Sequence, residues 1–444
     1  MNFTQFDFHP KIIAGIQACR YEKPTPIQEQ AIPAILGGRD IMGLAQTGTG
    51  KTAAFVLPVL QQLLTGPRGM IRTLIVAPTR ELAEQIHSDI TMLAGRTGLR
   101  SVAIYGGVGK IPQIKKIKSG AEIVVACPGR LLDHLREGAF NLKKVEHLIL
   151  DEADHMFDMG FLPDIRRILK HLPAQRQTLL FSATMPAEIR HLAEEILDNP
   201  VRVQIAHTRP TATVTQVLFN VEQDRKTALL KQIMSRTDMS ATLIFTRTKY
   251  RAASLARQLE KAGHAATSLQ GNLSQNKRRK ALDGFRRGEY KILVATDIAA
   301  RGIDVSGISH VINFDVPDTV EAFTHRIGRT GRAACTGQAF TFAGRADGKI
   351  INRIERALGG KMTRADSGKY LTGNADTPVP TEKRNIPHRD EDGGRQVSRG
   401  KRAGTSRGYP KKKTASGKRP VGNGKKHNRA KMPARGSGNM FLNP

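Results

Sequence analysis

Short runs of Val, Ile and Leu recur along the chain: TLIVA (73–77), EIVVA (122–126), HLIL (147–150), TLLF (178–181), TLIF (242–245), KILVA (291–295) and HVINF (310–314). None alternates apolar with polar, so each reads as a strand buried on both faces. Between them lie stretches of helical period, such as RELAEQIHSDITML (80–93) and RAASLARQLEKAG (251–263). Buried strands alternating with such helices predict an α/β fold of parallel sheets covered by helices. The pattern also echoes itself. TLIVAPTR at Thr73 returns as TLIFTRTK at Thr242, and EIVVA at Glu122 returns as KILVA at Lys291, both 169 residues later. Equal spacing predicts one α/β domain used twice, over residues 1–205 and 214–365, with AHTRPTAT (206–213) as the linker.

Length and charge add to this picture. A single core stops growing near roughly 250–300 residues, and 444 residues therefore suit two domains with accessories. With 70 Lys+Arg against 39 Asp+Glu the formal charge is +31. That balance makes a polyanion the expected partner, nucleic acid before acidic lipid. The excess is uneven: residues 361–444 hold 21 basic and 6 acidic residues, and from Val397 onward there are 14 basic and none acidic. A segment of this composition cannot bury enough apolar surface to offset its ordering entropy. Residues 366–444 are thus expected to be a disordered basic tail, either a solvated solubility tail or a non-specific nucleic-acid tether. No apolar run approaches the ~18 residues of a membrane span. The opening MNFTQFDFHP lacks the basic-then-apolar order of a signal peptide. Cys19, Cys127 and Cys335 are too few and too scattered for a disulfide framework or a four-Cys zinc site. A soluble, reduced, cytoplasmic setting is expected.

AQTGTGKT (45–52) follows the apolar DIMGLA and precedes the helical AAFVLPVLQQLL. A strand, a glycine loop and a helix start let backbone N–H groups face a phosphate chain. Ala45, Gln46, Thr47, Gly48, Thr49 and Gly50 would form the cradle, with Lys51 reaching the β- and γ-phosphates and Thr52 placing its hydroxyl on Mg²⁺. Ala45 stands where the general pattern has glycine, and a glycine-rich turn with an incidental lysine is the plainer alternative. HLIL runs directly into Asp151-Glu152-Ala153-Asp154. Asp151 would hold Mg²⁺ at a strand's C-terminal end, and Glu152 would orient and deprotonate the attacking water. Alternatively the acids simply cap a helix.

Taken in order, PTPIQ, AQTGTGKT, PTREL, DEAD, SAT, ATDIAARGID and HRIGRTGR resemble the DEAD-box ATP-dependent RNA helicases of superfamily 2. The resemblance covers residues 1 to about 360, some four-fifths of the chain, and FTRTK and the basic tail look most like the bacterial RhlE-type branch. It implies two tandem RecA-like domains that bind ATP·Mg²⁺ and single-stranded RNA, structured or ribosomal RNA included, and unwind short duplexes or remodel RNA–protein complexes. By the same resemblance Phe3, Tyr21 and Gln28 read adenine, Ser182 and Thr184 bond the carboxylates of 151–154, and Asp304 touches the ribose. His325 and Arg326 organise the interface, and Arg329 and Arg332 act as fingers on the transferring phosphoryl group. Thr79, Arg80, Gly106, Gly107, Gly129, Arg130, Gln275, Arg278 and Thr296 are the implied sugar–phosphate contacts. Two residues depart from the family pattern: Cys127 where Thr is usual, and Gln270 where His is common. The tail also admits an RNA-annealing or clamping protein whose ATPase only times release.

Overall fold

The computed structural model describes residues 2–371 apart from Thr47, 206–213, Asp238, 301–304, Ser306 and 332–335. The expected linker, Thr47, Asp304, Arg332 and the chain beyond residue 371 therefore lie outside the described residues.

All seven apolar runs are strands, and they form the interior of two parallel sheets. The first sheet holds β1 (Ile41–Leu44), β2 (Thr73–Val76), β3 (Ser101–Ile104), β4 (Ile123–Ala126), β5 (His147–Leu150), β6 (Gln177–Ser182) and β7 (Val201–Gln204). Its order is β3-β4-β2-β5-β6-β1-β7. The second holds β8 (Val214–Asn220), β9 (Thr242–Phe245), β10 (Ala266–Leu269), β11 (Ile292–Ala295), β12 (His310–Asn313), β13 (Gly337–Ala343) and β14 (Thr363–Ala365). Its order, β10-β11-β9-β12-β13-β8-β14, repeats the first strand for strand. The echoed pairs, β2 with β9 and β4 with β11, hold equivalent places.

Helices cover both faces of each sheet, and apolar side chains fill the layers between. Phe55 on helix Lys51–Leu63 packs against Phe181 of β6 with ring centroids 5.4 Å apart. Glycine at position 43 makes room for it, since a Cβ there would lie 2.5 Å from the Phe181 ring.

The fold sets the site through strand order. β5, β6 and β1 are neighbours, with Leu150 opposite Leu180 and Leu44 opposite Ser182. The DEAD segment, SAT and the glycine loop follow those three strands, so all three leave the sheet at one edge. The second sheet places Lys226 at the start of helix Lys226–Arg236 after β8, as Lys51 starts a helix after β1. Lys226 Nζ donates to the Phe314 carbonyl at 2.9 Å and lies 3.9 Å from Asp315, which follows β12 as Asp151 follows β5.

The ordered chain also runs past the expected boundary at 365. Helix Ser367–Leu371 follows β14, packs on helix Lys226–Arg236, and is tied by the Ser367 hydroxyl donating to the Asn220 carbonyl at 2.5 Å.

Candidate functional site

The glycine loop is closed by its own side chains. Gly48 and Gly50 take φ of 85° and 90°, left-handed values open to glycine. The Thr49 hydroxyl donates to the Gln46 carbonyl at 2.8 Å, and Lys51 Nζ donates to the Ala45 carbonyl at 2.9 Å. Lys51 is buried and first in its helix, with Thr52 next. Gln28 is held as a brace between two segments: its Oε1 accepts from the Thr25 amide and its Nε2 donates to the Gly50 carbonyl, each at 3.0 Å. The amide expected to read a base edge thus spends one donor and one acceptor tying the PTPIQ segment to the loop. Nearby, Tyr21 stacks on Phe3 with centroids 6.4 Å apart; Phe3 is buried and Tyr21 is exposed.

Asp151, Glu152 and Asp154 are all buried beside the loop. Burial pushes the Asp151 carboxyl up to about 6, against the opposing charge of Lys51. Burial also raises Glu152, but the His155 hydrogen bond and the charges of Lys51 and Arg329 outweigh it and bring the carboxyl down to about 2. The SAT expectation needs correcting in part. Thr184 does bond a carboxylate, its hydroxyl and amide donating to Asp154 Oδ2 at 2.8 and 2.9 Å. Ser182 does not: its Oγ accepts from the Asp154 amide at 3.1 Å and donates to the Thr184 carbonyl at 2.7 Å. At the strand end the nearest unpaired group is that amide, and the hydroxyl satisfies it.

Among the described residues, the second domain meets this wall through one arginine. Arg329 is buried and its charge bears on Glu152. Arg326 is locked within its own domain, bidentate to Asp297 at 2.6 and 2.7 Å and donating to Asn313 Oδ1 and the Asp315 carbonyl. His325 is half-buried on the same helix, Val320–Ile327.

Most of the implied RNA contacts share one cavity of about 510 Å³ between the domains, lined by Thr79, Arg80, Gly106, Gly129, Arg130, Arg278 and Thr296. Gly107 and Gln275 border it through Arg80. The Arg80 guanidinium packs where a Gly107 Cβ would be, and its Nη1 donates to Gln275 Oε1 at 3.4 Å. Thr79 caps its helix by accepting from the Leu82 amide at 3.3 Å. Arg130 braces the Val108 carbonyl at 3.0 Å. Cys127 also lines the cavity, its thiol pushed by burial up to about 12. Gln270 accepts from the Asn272 amide at 2.6 Å and shapes that turn.

Arg247, Lys249, Met159, Phe161, Gly271 and Ile298 line the cavity too and were not singled out from the sequence. For Lys249 the echo was the signal: the 169-residue offset carries Thr79-Arg80 onto Thr248-Lys249, and Thr248 caps its helix as Thr79 does. The apolar members carried none. Across the cleft Arg278 Nε donates to Glu81 Oε1 at 2.6 Å, and Arg279 pairs with Glu84.

A phosphate loop, strand-end carboxylates and an arginine from a second copy of the same sheet define a nucleoside triphosphatase of two RecA-like domains. The DEAD/DEAH box helicase family model matches residues 25–192, and the helicase conserved C-terminal domain matches residues 225–334. The DEAD-box ATP-dependent RNA helicase CshA of Geobacillus kaustophilus is 41% identical over 82% of this chain and 78% of its own length. The ATP-dependent RNA helicase CshA of Listeria monocytogenes is 43% identical over 77% of this chain, which spans 65% of that relative. S. cerevisiae Dbp5 bound to RNA and ADP BeF3 superposes with a TM-score of 0.75 at 30% identity, over 84% of this chain and 97% of that one. The chain belongs to the DEAD-box ATP-dependent RNA helicases.

Proposed function

We propose that the protein closes its two domains around ATP and single-stranded RNA, destabilises short duplexes locally, and reopens when ATP is hydrolysed to ADP and phosphate. One observation carries this reading. Arg329 of the second domain bears on Glu152 of the first, while the same closure forms the cavity shared by both domains. ATP and RNA then favour one conformation and each strengthens the other's binding.

Within the site, Lys51 meets the phosphates, Glu152 takes the proton of the attacking water, and Arg329 with Arg332 offsets charge on the phosphoryl group. Thr184 and Ser182 link the state of Asp154 to the rest of the edge. Phe3, Tyr21 and Gln28 form the adenine side, with Asp304 at the ribose. Thr52 and Asp151 offer the hard oxygen donors that suit Mg²⁺. Among the described residues no group of three His, Cys, Asp or Glu could hold a metal unaided, so phosphate and water would complete the shell. When bound, Mg²⁺ neutralises phosphate charge.

RNA contacts through Arg80, the Gly106-Gly107 turn, Arg130, Gln275 and Arg278 address the sugar–phosphate chain and give little sequence preference. The tail from residue 372 would tether RNA without regard to sequence. FTRTK and that tail support the RhlE-type branch. Among the described residues no helix is long and apolar enough to cross a membrane, and the cytoplasm, where ATP and RNA meet, is the proposed compartment.

Glu152→Gln should bind ATP and RNA as before and lose turnover; normal hydrolysis in that variant would remove Glu152 from its role. Stimulation of hydrolysis by DNA alone, in a comparison with RNA of equal length, would overturn the RNA assignment.

A further inference from the structure

We propose that His155 is a positioning residue for hydrolysis, holding the Glu152 carboxylate in the orientation that receives the water proton. The proposal deepens the ATPase reading above and rests on it.

Glu152 stands at φ 54° and ψ 53°, just ahead of helix Ala153–Asp158. That left-handed conformation is one a non-glycine residue rarely adopts. His155, three residues on, reaches back. Its Nδ1 lies 3.1 Å from Glu152 Oε2, and both side chains are buried. The ring is carried on a fixed turn: the His155 amide donates to Asp154 Oδ1 at 3.0 Å, while Asp154 Oδ2 is held by Thr184.

The far ring nitrogen, Nε2, is buried with no hydrogen-bond partner. A proton there would be sealed without an acceptor. A ring proton therefore belongs on Nδ1, where Glu152 is its acceptor. A hydrogen bond donated to Oε2 fixes the carboxylate's orientation and leaves Oε1 to receive the water proton. In the reaction the water oxygen bonds to the γ-phosphorus, its proton passes to Glu152, and the bond to the ADP oxygen breaks. His155 neither gains nor loses a proton.

Substitutions separate this role from packing. Asparagine presents its amide nitrogen where Nδ1 lies; glutamine presents it where Nε2 lies; leucine has no donor. RNA-stimulated ATPase is measured for His155→Asn, His155→Gln and His155→Leu, with KM for ATP and RNA affinity. The expected result is a kcat about 10- to 100-fold lower for the Gln and Leu variants, KM and RNA affinity unchanged, and the Asn variant within about threefold of the parent. In the Glu152→Gln background, His155→Leu should add nothing.

A Gln variant as active as the Asn variant would overturn the proposal, as would equal losses in all three with a raised KM. Should the Leu variant fail to fold, the Asn–Gln comparison decides alone. If the parent protein itself shows no RNA-stimulated hydrolysis, the ATPase reading fails; if the parent turns over and the Gln variant does too, only the role of His155 fails.

Discussion

Replacing Glu81 by alanine should weaken closure while sparing the nucleotide site. Glu81 on helix Arg80–Ala94 and Arg278 on helix Gln275–Arg286 meet across the cleft at 2.6 Å, with side chains 8% and 10% exposed. Removing one member of a buried pair costs about 3–5 kcal/mol, because the other charge stays buried alone. Both residues border the cavities on either side of the contact, so water can reach Arg278 and the lower figure applies. Opening of the cleft would return both groups to water, where the substitution costs nothing. The whole loss of about 3 kcal/mol therefore falls on the closing equilibrium, which is about 150-fold. The neighbouring Arg279–Glu84 pair is the control. Its side chains are 58% and 22% exposed, and surface pairs contribute about 0.2–1 kcal/mol, so Arg279→Ala should lose no more than about fivefold. Fluorescence anisotropy with labelled single-stranded RNA and ADP·BeF3 measures both, and ATP affinity without RNA should be unchanged. Equal losses from the two variants, or none from Glu81→Ala, would refute the reasoning.

Glu122 accepts from Arg68 Nε and the Gly69 and Arg100 amides at 2.9–3.0 Å. Burial raises its pKa, but these bonds outweigh it and hold the carboxyl below its ordinary 4.5. The folded group thus binds its proton less readily than the unfolded one, and its stabilisation is present above pH ~4.5 and lost as pH falls through the depressed value. Glu122→Gln should cost about 2 kcal/mol at pH 7, and urea titrations should show the gap closing on acidification; a pH-independent gap would count against it. Gly107→Ala would put a Cβ 2.2 Å from Arg80 Nη1 at a φ of 81°, and RNA affinity should fall about tenfold through displacement of Arg80; unchanged anisotropy would sink that. Truncation after residue 371 should flatten the salt dependence of RNA binding by about 0.7 in slope for each phosphate the tail neutralises, whereas an unchanged slope would make the tail a solubility segment.

Interior strands such as β5 were legible because Leu148 and Ile149 must be apolar on both faces of the sheet. The edge strands were not. β3, β7, β10 and β14 carry Ser101, Arg202, Thr267 and Arg364, as strands with one side to solvent can, and they lack the unbroken apolar run that marks the others. β8 and β13 were hidden by Thr215-Gln216 and Gln338, polar residues placed inside a sheet that is otherwise apolar. At the site, motif residues were readable because chemistry restricts their type and order. Their partners were not. His155 looks like any helical histidine until the turn brings it back to Glu152, and Glu81 and Arg278 are 197 residues apart. Gln28 shows the reverse case, a residue named for ligand contact whose amide is already engaged by the loop it serves.

The lysine that opens helix Lys226–Arg236 puts the second domain in a different light. Asp315 there receives Arg251 Nη1 at 2.8 Å and the Arg247 amide at 2.9 Å, with Lys226 nearby, and the preceding segment Val221–Arg225 has no glycine. The cation and carboxylate proposed to face a phosphate chain in one half have counterparts in the other that are paired within the protein. Asp315 instead fixes Arg247, which lines the inter-domain cavity. Two lobes of equivalent strand order thus share one glycine loop of the AQTGTGKT kind. In the second lobe the same pair of residue types serves the wall of the cleft.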